Sequence, residues 1–213
     1  MHCPLCHDTG INDFHSDSDR EYKQCECCRL VFVPAEYHLS PEEEKKRYDL
    51  HRNDPGDQGY REFLRRLFIP VNESLREGDH GLDFGSGPRP VLAEMFREKG
   101  FQVDLYDQFY ADNREVFNLE YDFITASEVV EHLREPGEDL ARIFQILKPG
   151  GILGIMTGML PETGEFGQWH YQRDRTHICF FSPHVFYWLA WHWKASVEFP
   201  VENIALFRKS RKN

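Results

Sequence analysis

The chain has 213 residues, of which 40% are hydrophobic, and a formal net charge of -11. This length accommodates one α/β domain and a small additional unit. The negative charge disfavours long-range attraction to nucleic acid, so a nucleic-acid partner is not expected. No apolar run approaches the roughly 20 residues that cross a bilayer, and the N-terminus lacks a signal-peptide pattern. We therefore expect a cytoplasmic protein without membrane contact.

Five of the six cysteines lie in the first 28 residues. Two Cys-x-x-Cys pairs, Cys3 with Cys6 and Cys25 with Cys28, predict a zinc ribbon in which four thiolates hold one Zn²⁺. Cys27 is an alternative to Cys28 as the fourth ligand. Four protein ligands leave no open coordination position, so the predicted role of the metal is structural. The lack of a secretion signal argues against disulfides.

The next segment contains a predicted strand and two predicted helices. Arg29–Pro34 alternates like a strand that closes a ribbon, which gives a zinc ribbon over residues 1–36. Ser40 is followed by a proline and acidic residues, the pattern of a helix start. Apolar residues recur at helical spacing over Tyr60–Leu75. We therefore predict a helical linker or cap over residues 37–77.

The stretch Gly-Leu-Asp-Phe-Gly-Ser-Gly, which ends at Gly87, predicts a buried strand and a tight turn before a helix. Gly85 and Gly87 allow a sharp turn and the close approach of a ligand, and Asp83 lies at the end of the strand. The next predicted strand ends at Asp107, about 20 residues beyond the turn, a spacing that suits recognition of ribose hydroxyls. This spacing fits NAD equally well.

Further predicted elements follow in an alternating order that is typical of α/β folds. The only candidate strand between Asp107 and the next clear strand is Arg114–Phe117. The remaining predictions are strands at Tyr121–Ser127 and Ile152–Thr157, a helix at Pro136–Leu147, a sharp turn at Lys148–Gly151, a helix from Ser182 to about Trp191, and a hairpin of Lys194–Val201 with Asn203–Lys209.

Four motifs occur in order: LDFGSGPRP, VDLYDQFY, YDFITASEVVEHL and LKPGGILGIMT. The region that carries them, from about residue 78 to 190, resembles class I S-adenosylmethionine (SAM)-dependent methyltransferases. The resemblance implies an α/β fold over residues 78–213. Its Rossmann-like sheet would have seven mostly parallel strands, with helices on both faces. Two departures are Pro90, where a third glycine usually falls, and the lack of a clear acidic residue for the adenine.

The resemblance also implies SAM as the cofactor and a set of contacts for it. By their positions in the motifs, these are Asp83, Gly85, Ser86 and Gly87 along the methionine part, Asp107 at the ribose hydroxyls, and Ser127 and Glu128 beside the cofactor.

Methyl transfer requires a positioned acceptor and a group that removes its proton. His132 lies just beyond a predicted strand, and Tyr171 and His177 lie in an aromatic cluster after the following strand, so these three are candidate catalytic residues. Structural roles in local hydrogen bonding are the alternatives. Glu128, Glu131 and His132 share one face of a helix. A similar pattern has a divalent-metal role in ubiquinone-type O-methyltransferases.

These observations favour a SAM-dependent methyltransferase that carries a structural Zn²⁺ and acts on a small-molecule acceptor. The alternative is a degenerate module that binds SAM or S-adenosylhomocysteine (SAH) and whose ribbon recruits a protein or RNA partner. An NAD-dependent oxidoreductase is disfavoured by the missing third glycine and by the Glu-Val-Val-Glu-His segment.

Overall fold

A computed structural model of the protein describes residues 1–50, 56–161 and 166–211. Its α-helices are α1 (Pro41–Tyr48), α2 (Gln58–Asn72), α3 (Val91–Arg97), α4 (Pro136–Gln145) and α5 (Pro183–Trp193). Its strands are β1 (Ile11–Ser16), β2 (Glu21–Cys25), β3 (Val31–Phe32), β4 (His80–Phe84), β5 (Gln102–Tyr106), β6 (Tyr121–Ser127), β7 (Leu147–Met156), β8 (Cys179–Phe180), β9 (Ser196–Glu198) and β10 (Ile204–Arg208). Across these segments, no helix has the length and apolar character needed to span a membrane.

The main sheet has the order β5-β4-β6-β7-β10-β9. Strands β5, β4, β6 and β7 are parallel, whereas β10 runs antiparallel to both β7 and β9. This mixed sheet confirms the predicted Rossmann-like α/β fold and the final hairpin. Strand β7 begins at Leu147, so the predicted turn at Lys148–Gly151 lies within the strand.

The expected seventh strand is wrong: within the described residues, the main sheet has six strands. Arg114–Asn118, which includes the candidate strand, forms a 3-10 helix whose start is capped by the side chain of Asn113. Phe117 packs edge-on against Tyr106 of β5, with ring centroids 4.7 Å apart. The segment therefore folds back onto the edge of the sheet instead of extending it.

Helices cover both faces of the main sheet because its strands alternate their buried side chains between two cores. Helices α2 and α3 share one core with Phe123 of β6. Helices α4 and α5 share the other with Ile124, the next residue of the same strand. Both cores leave the carboxyl ends of β4, β5 and β6 at one edge, where parallel α/β sheets bind ligands.

The N-terminal residues form a second sheet of order β1-β2-β3-β8. Strand β8, which follows β7 in the chain, pairs antiparallel with β3 through Val31 opposite Phe180 and Phe32 opposite Cys179. The side chains of β3 and β8 share the core that contains α4 and α5. The predicted ribbon is thus joined to the remainder of the protein by backbone pairing and by apolar packing.

Candidate functional site

The turn after β4 is held against the end of β5 by hydrogen bonds that two of its backbone amides donate. The amide of Gly85 donates to the carbonyl of Tyr106 at 2.7 Å, and the amide of Gly87 donates to Oδ2 of Asp107 at 2.9 Å. Gly85 has φ +75°, and a Cβ there would lie 2.4 Å from a methyl group of Val129. Gly87 has φ +64°, but a Cβ there would meet no atom within 4 Å. The first glycine is needed for packing, and the second faces open space.

The two predicted acidic contacts differ in their surroundings. Asp107 accepts the amides of Phe109 and Tyr110 on Oδ1 at 2.9 and 3.1 Å, which fixes its carboxylate at the mouth of the turn. Asp83 is only 4% exposed and accepts a hydrogen bond from Thr125 on β6 at 2.8 Å. Burial raises the pKa of Asp83 to about 6. Asp83 therefore joins β4 to β6 beneath the turn.

A cavity of about 410 Å³ opens at the carboxyl ends of β4, β5 and β6. Its wall brings together eight of the predicted site residues: Gly85, Ser86, Gly87, Asp107, Ser127, Glu128, His132 and His177. Asp83 and Tyr171 are not part of this wall. The Oγ atom of Ser86, one of the wall residues, is buried without a hydrogen-bond partner in the described structure.

Aromatic residues that the sequence analysis did not assign to a site form the outer wall of the cavity. Tyr48 is at the end of α1, Tyr60 and Phe63 are on α2, and Phe109 and Tyr110 follow β5. Helical periodicity places Phe63 with the core-facing residues of α2, so it gives no indication of a cavity. The ring of Tyr48 does approach a predicted catalytic residue, His132, edge-on at 5.3 Å.

Both candidate histidines are held by a hydrogen bond from Nδ1 to a backbone carbonyl. Nδ1 of His132 lies 3.0 Å from the carbonyl of Thr176, and Nδ1 of His177 lies 2.7 Å from the carbonyl of Tyr171. A carbonyl only accepts hydrogen bonds, so each Nδ1 carries a proton, and in the neutral form of each ring Nε2 is the acceptor. Burial lowers the pKa of His177, which keeps its imidazole neutral at pH 7. The two rings are 4.8 Å apart.

Tyr171 lies behind the cavity wall and connects two acidic residues. Its hydroxyl lies 3.2 Å from a carboxyl oxygen of Glu128 and donates a short hydrogen bond to Glu131. Glu131 is fully buried and also accepts from Thr157 at 2.9 Å. Burial raises the pKa of Tyr171 and raises the pKa of Glu128 to about 8. Tyr171 therefore stays protonated near neutral pH and is not suited to be the base.

One further group of donors borders the cavity. Glu131, His132 and His177 each offer a ligand atom, and these atoms lie within 4.8 Å of one another. The structure therefore groups His177, rather than Glu128, with the other two members of the predicted metal pattern. A divalent metal at this position stays a hypothesis.

The four predicted zinc ligands also come together. The sulfur atoms of Cys3, Cys6, Cys25 and Cys28 lie within 4.8 Å of one another, with Sγ–Sγ distances of 3.5 Å for Cys3–Cys28 and 3.4 Å for Cys6–Cys25. Tetrahedral zinc with Zn–S bonds of about 2.3 Å requires sulfur atoms about 3.8 Å apart. Cys27 is exposed and outside the cluster, so the geometry favours Cys28 as the fourth donor.

Comparison with known proteins identifies the family to which this fold and cavity belong. A family model described as a methyltransferase domain matches residues 51–193, which is more than half of the chain. The chain belongs to the methyltransferase domain family. This match confirms, at the level of the family, the SAM-dependent methyltransferase predicted from the four motifs.

Curated relatives of this methyltransferase include enzymes named ubiquinone biosynthesis O-methyltransferase. The protein from Erwinia tasmaniensis is 32% identical over 84 residues, which are 38% of this chain and 35% of the relative. An Escherichia coli protein of the same name is 32% identical over 85 residues, which are 39% of this chain and 35% of the relative. The matched part thus spans about a third of these relatives.

Solved structures share the fold at low sequence identity. The 1,6-didemethyltoxoflavin-N1-methyltransferase of Burkholderia thailandensis, solved with 1,6-didemethyltoxoflavin and SAH, has a TM-score of 0.55 and 16% identity, covering 93% of this chain and 99% of that one. An O-methyltransferase family protein of the same organism has a TM-score of 0.52 and 14% identity, covering 80% of this chain and 64% of that one.

Proposed function

We propose that this methyltransferase transfers a methyl group from SAM to a small-molecule acceptor, and that its four clustered cysteines hold a structural Zn²⁺. The observation that carries the proposal is a single cavity with two chemically distinct sides. One side has the glycine turn and Asp107, and the other has two imidazoles with free Nε2 atoms.

The cavity residues fit the proposed cofactor. The buried Oγ of Ser86 lacks a partner, and Gly87 leaves open space where a side chain would stand. A carboxylate offers about four acceptor sites, and three of those on Asp107 accept the amides of Gly87, Phe109 and Tyr110, which leaves one site on Oδ2. Asp107 would therefore accept one ribose hydroxyl while still holding the turn. A bound SAM would supply an electrophilic methyl group on its positively charged sulfur.

The histidines would perform the acid–base part of the reaction. Nε2 of His132 or His177 would accept the proton that the acceptor's hydroxyl or amine loses as it is methylated. The lowered pKa of His177 keeps its Nε2 available at neutral pH. The aromatic residues of the outer wall would restrict the access of water and stack against a planar acceptor.

Several observations favour a small molecule as the acceptor. A volume of about 410 Å³ lies within the range of roughly 300–1,000 Å³ that is usual for small-molecule sites. The net charge of -11 opposes attraction to nucleic acid. The Burkholderia N1-methyltransferase that shares the fold binds a small molecule together with SAH. The presence of candidate bases beside the cofactor side of the cavity argues against the degenerate binding module.

The test is calorimetric titration of the zinc-loaded protein with SAH, with NAD as the control ligand. We expect micromolar binding of SAH only. Asp107→Ala should weaken it by about 100-fold, because hydrogen bonds to a charged group contribute roughly 1.5–3 kcal/mol each. Asp112→Ala is the matched control, since Asp112 is exposed and outside the cavity wall. Failure of the wild-type protein to bind SAH would contradict the proposal.

A further inference from the structure

The side chain of Arg20, in the turn between β1 and β2, is buried against the segment that carries Tyr171 and His177. Arg20 is 4% exposed. Its guanidinium donates to four carbonyl groups between residues 172 and 177: those of His177 at 3.0 Å, Asp174 at 3.0 Å, Arg175 at 3.4 Å, and Gln172 through a short contact. Nε donates to the hydroxyl of Tyr22 at 2.8 Å.

This arrangement makes the guanidinium and the segment depend on each other. A buried guanidinium is costly unless its donors are satisfied, and the carbonyls of residues 172–177 satisfy most of them. Several carbonyl dipoles that converge on one point repel each other without a cation between them. Apart from the 3-10 turn His170–Arg173, this segment has no helix to hold it. Arg20 therefore fixes the path of the backbone there.

The same segment orients both candidate bases. The carbonyl of Tyr171 accepts from Nδ1 of His177, and the carbonyl of Thr176 accepts from Nδ1 of His132. The amide of Ile178 donates to the carbonyl of Glu131 at 2.8 Å, which connects the segment to the turn that carries His132. A shift of this backbone would rotate both imidazoles and break the Nδ1 hydrogen bonds that fix their tautomers.

The zinc ribbon in turn places Arg20. Arg20 immediately precedes β2, and Cys25 is the last residue of that strand. In an extended strand the five steps from Arg20 to Cys25 span about 17 Å. Asp17 accepts the backbone amide of Arg20 at 2.9 Å and closes the turn. The cysteine cluster thus anchors one end of the strand and Arg20 anchors the other end to the base-carrying segment.

We propose that Arg20 is a positioning residue of the methyltransferase site and that the ribbon is the scaffold that holds the two imidazoles in their Nδ1-protonated form. This inference rests on the proposed function for the role of the histidines. It assigns the ribbon a role within this chain, instead of the recruitment of a partner.

The test is histidine-selective ¹⁵N NMR with amide hydrogen exchange on the zinc-loaded full chain. For Arg20→Met we expect mixed tautomers at His177 and His132, and exchange of the His177 and Ile178 amides accelerated by about 10-fold or more. Arg20→Lys should give an intermediate result, because one ammonium group reaches fewer carbonyls than a guanidinium fork. Arg20→Lys also keeps the test decisive if Arg20→Met does not fold.

Val71→Ala is the matched control, because Val71 is fully buried in the opposite core, on α2. It should destabilise the protein without changing either histidine tautomer. A wild-type tautomer pattern and wild-type exchange in Arg20→Met, or the same changes in Val71→Ala, would overturn the inference.

Titration of the same variants with SAH separates this inference from the proposed function. We expect SAH affinity to stay within about threefold of wild type in Arg20→Met, because neither Gly87 nor Asp107 contacts Arg20 and loss of a remote contact leaves their bonds in place. If the wild-type protein does not bind SAH, the proposed function fails, while the NMR comparison still decides whether Arg20 positions the histidines.

Discussion

The two sides of the cavity are built in different ways. The cofactor corner, formed by Gly85, Ser86, Gly87 and Asp107, comes from the ends of two neighbouring strands and is held by hydrogen bonds between those two strand ends. The base wall, formed by His132 and His177 with Tyr171 behind them, depends on contacts between Arg20 of the ribbon and residues 172–177, which lie more than 150 residues further along the chain. The corner should therefore tolerate damage to the ribbon, and the base wall should not.

The largest expected effect comes from removal of the proposed Zn²⁺. Cys25→Ser should abolish stoichiometric zinc binding and lower the free energy of unfolding by roughly 5 kcal/mol or more, because zinc binding supplies folding free energy to such sites. Hydrogen exchange should accelerate in the base wall far more than in β4 and β6. Cys27→Ser, at an exposed position, is the control and should retain zinc and stability. Equal effects of the two substitutions would contradict the proposed ligand set.

Within the cofactor corner, the two glycines should respond unequally to substitution. Gly85→Ala should cost about 3–4 kcal/mol of stability, since it combines left-handed backbone strain with overlap of Val129. Gly87→Ala should cost only about 1 kcal/mol, because it has the strain without the overlap. Each variant is the control for the other in urea denaturation. Equal losses of stability would contradict the inference that only Gly85 is packed too closely for a side chain.

A smaller, pH-dependent effect should distinguish Glu128 and Glu131, the two acidic residues that contact Tyr171. Because the pKa of Glu128 is raised from 4.5 to about 8, the folded state binds more protons than the unfolded state in this interval. The stability that Glu128 contributes should therefore be lost as pH rises from 4.5 to 8. Glu128→Gln removes this loss, so at pH 8.5 it should be about 1–2 kcal/mol more stable than wild type, with little difference at pH 4.5.

Glu131→Gln is the control for this pH series. Both carboxyl oxygens of Glu131 accept hydrogen bonds, one from the hydroxyl of Tyr171 and one from the hydroxyl of Thr157. The NH₂ group of a glutamine at this position would face one of these hydroxyl donors and leave it without an acceptor. It should destabilise the protein across the whole pH range. A Glu128→Gln variant whose stability follows the wild-type pH profile would contradict the assignment of a protonated Glu128.

The sequence predicts those parts of the site whose contacts are local. The glycine turn, Asp107 and the two Cys-x-x-Cys pairs each depend on residues close in the chain, and the structure brings them together as expected. The burial of Arg20 depends on carbonyls of residues 172–177, and no periodicity or motif indicates a contact at that separation. The missing seventh strand has a similar cause, because packing of Phe117 on β5 decided the fold of a short ambiguous segment.

Hydrogen-exchange mass spectrometry of the zinc-loaded protein, with and without SAH, tests the claim that the cofactor lies in the cofactor corner and that the base wall faces it across one cavity. We predict that SAH slows exchange about 10-fold or more in peptides that cover residues 84–88 and 107–110, with little change over residues 1–36. Protection confined to the ribbon, or no protection at saturating SAH, would contradict the claim.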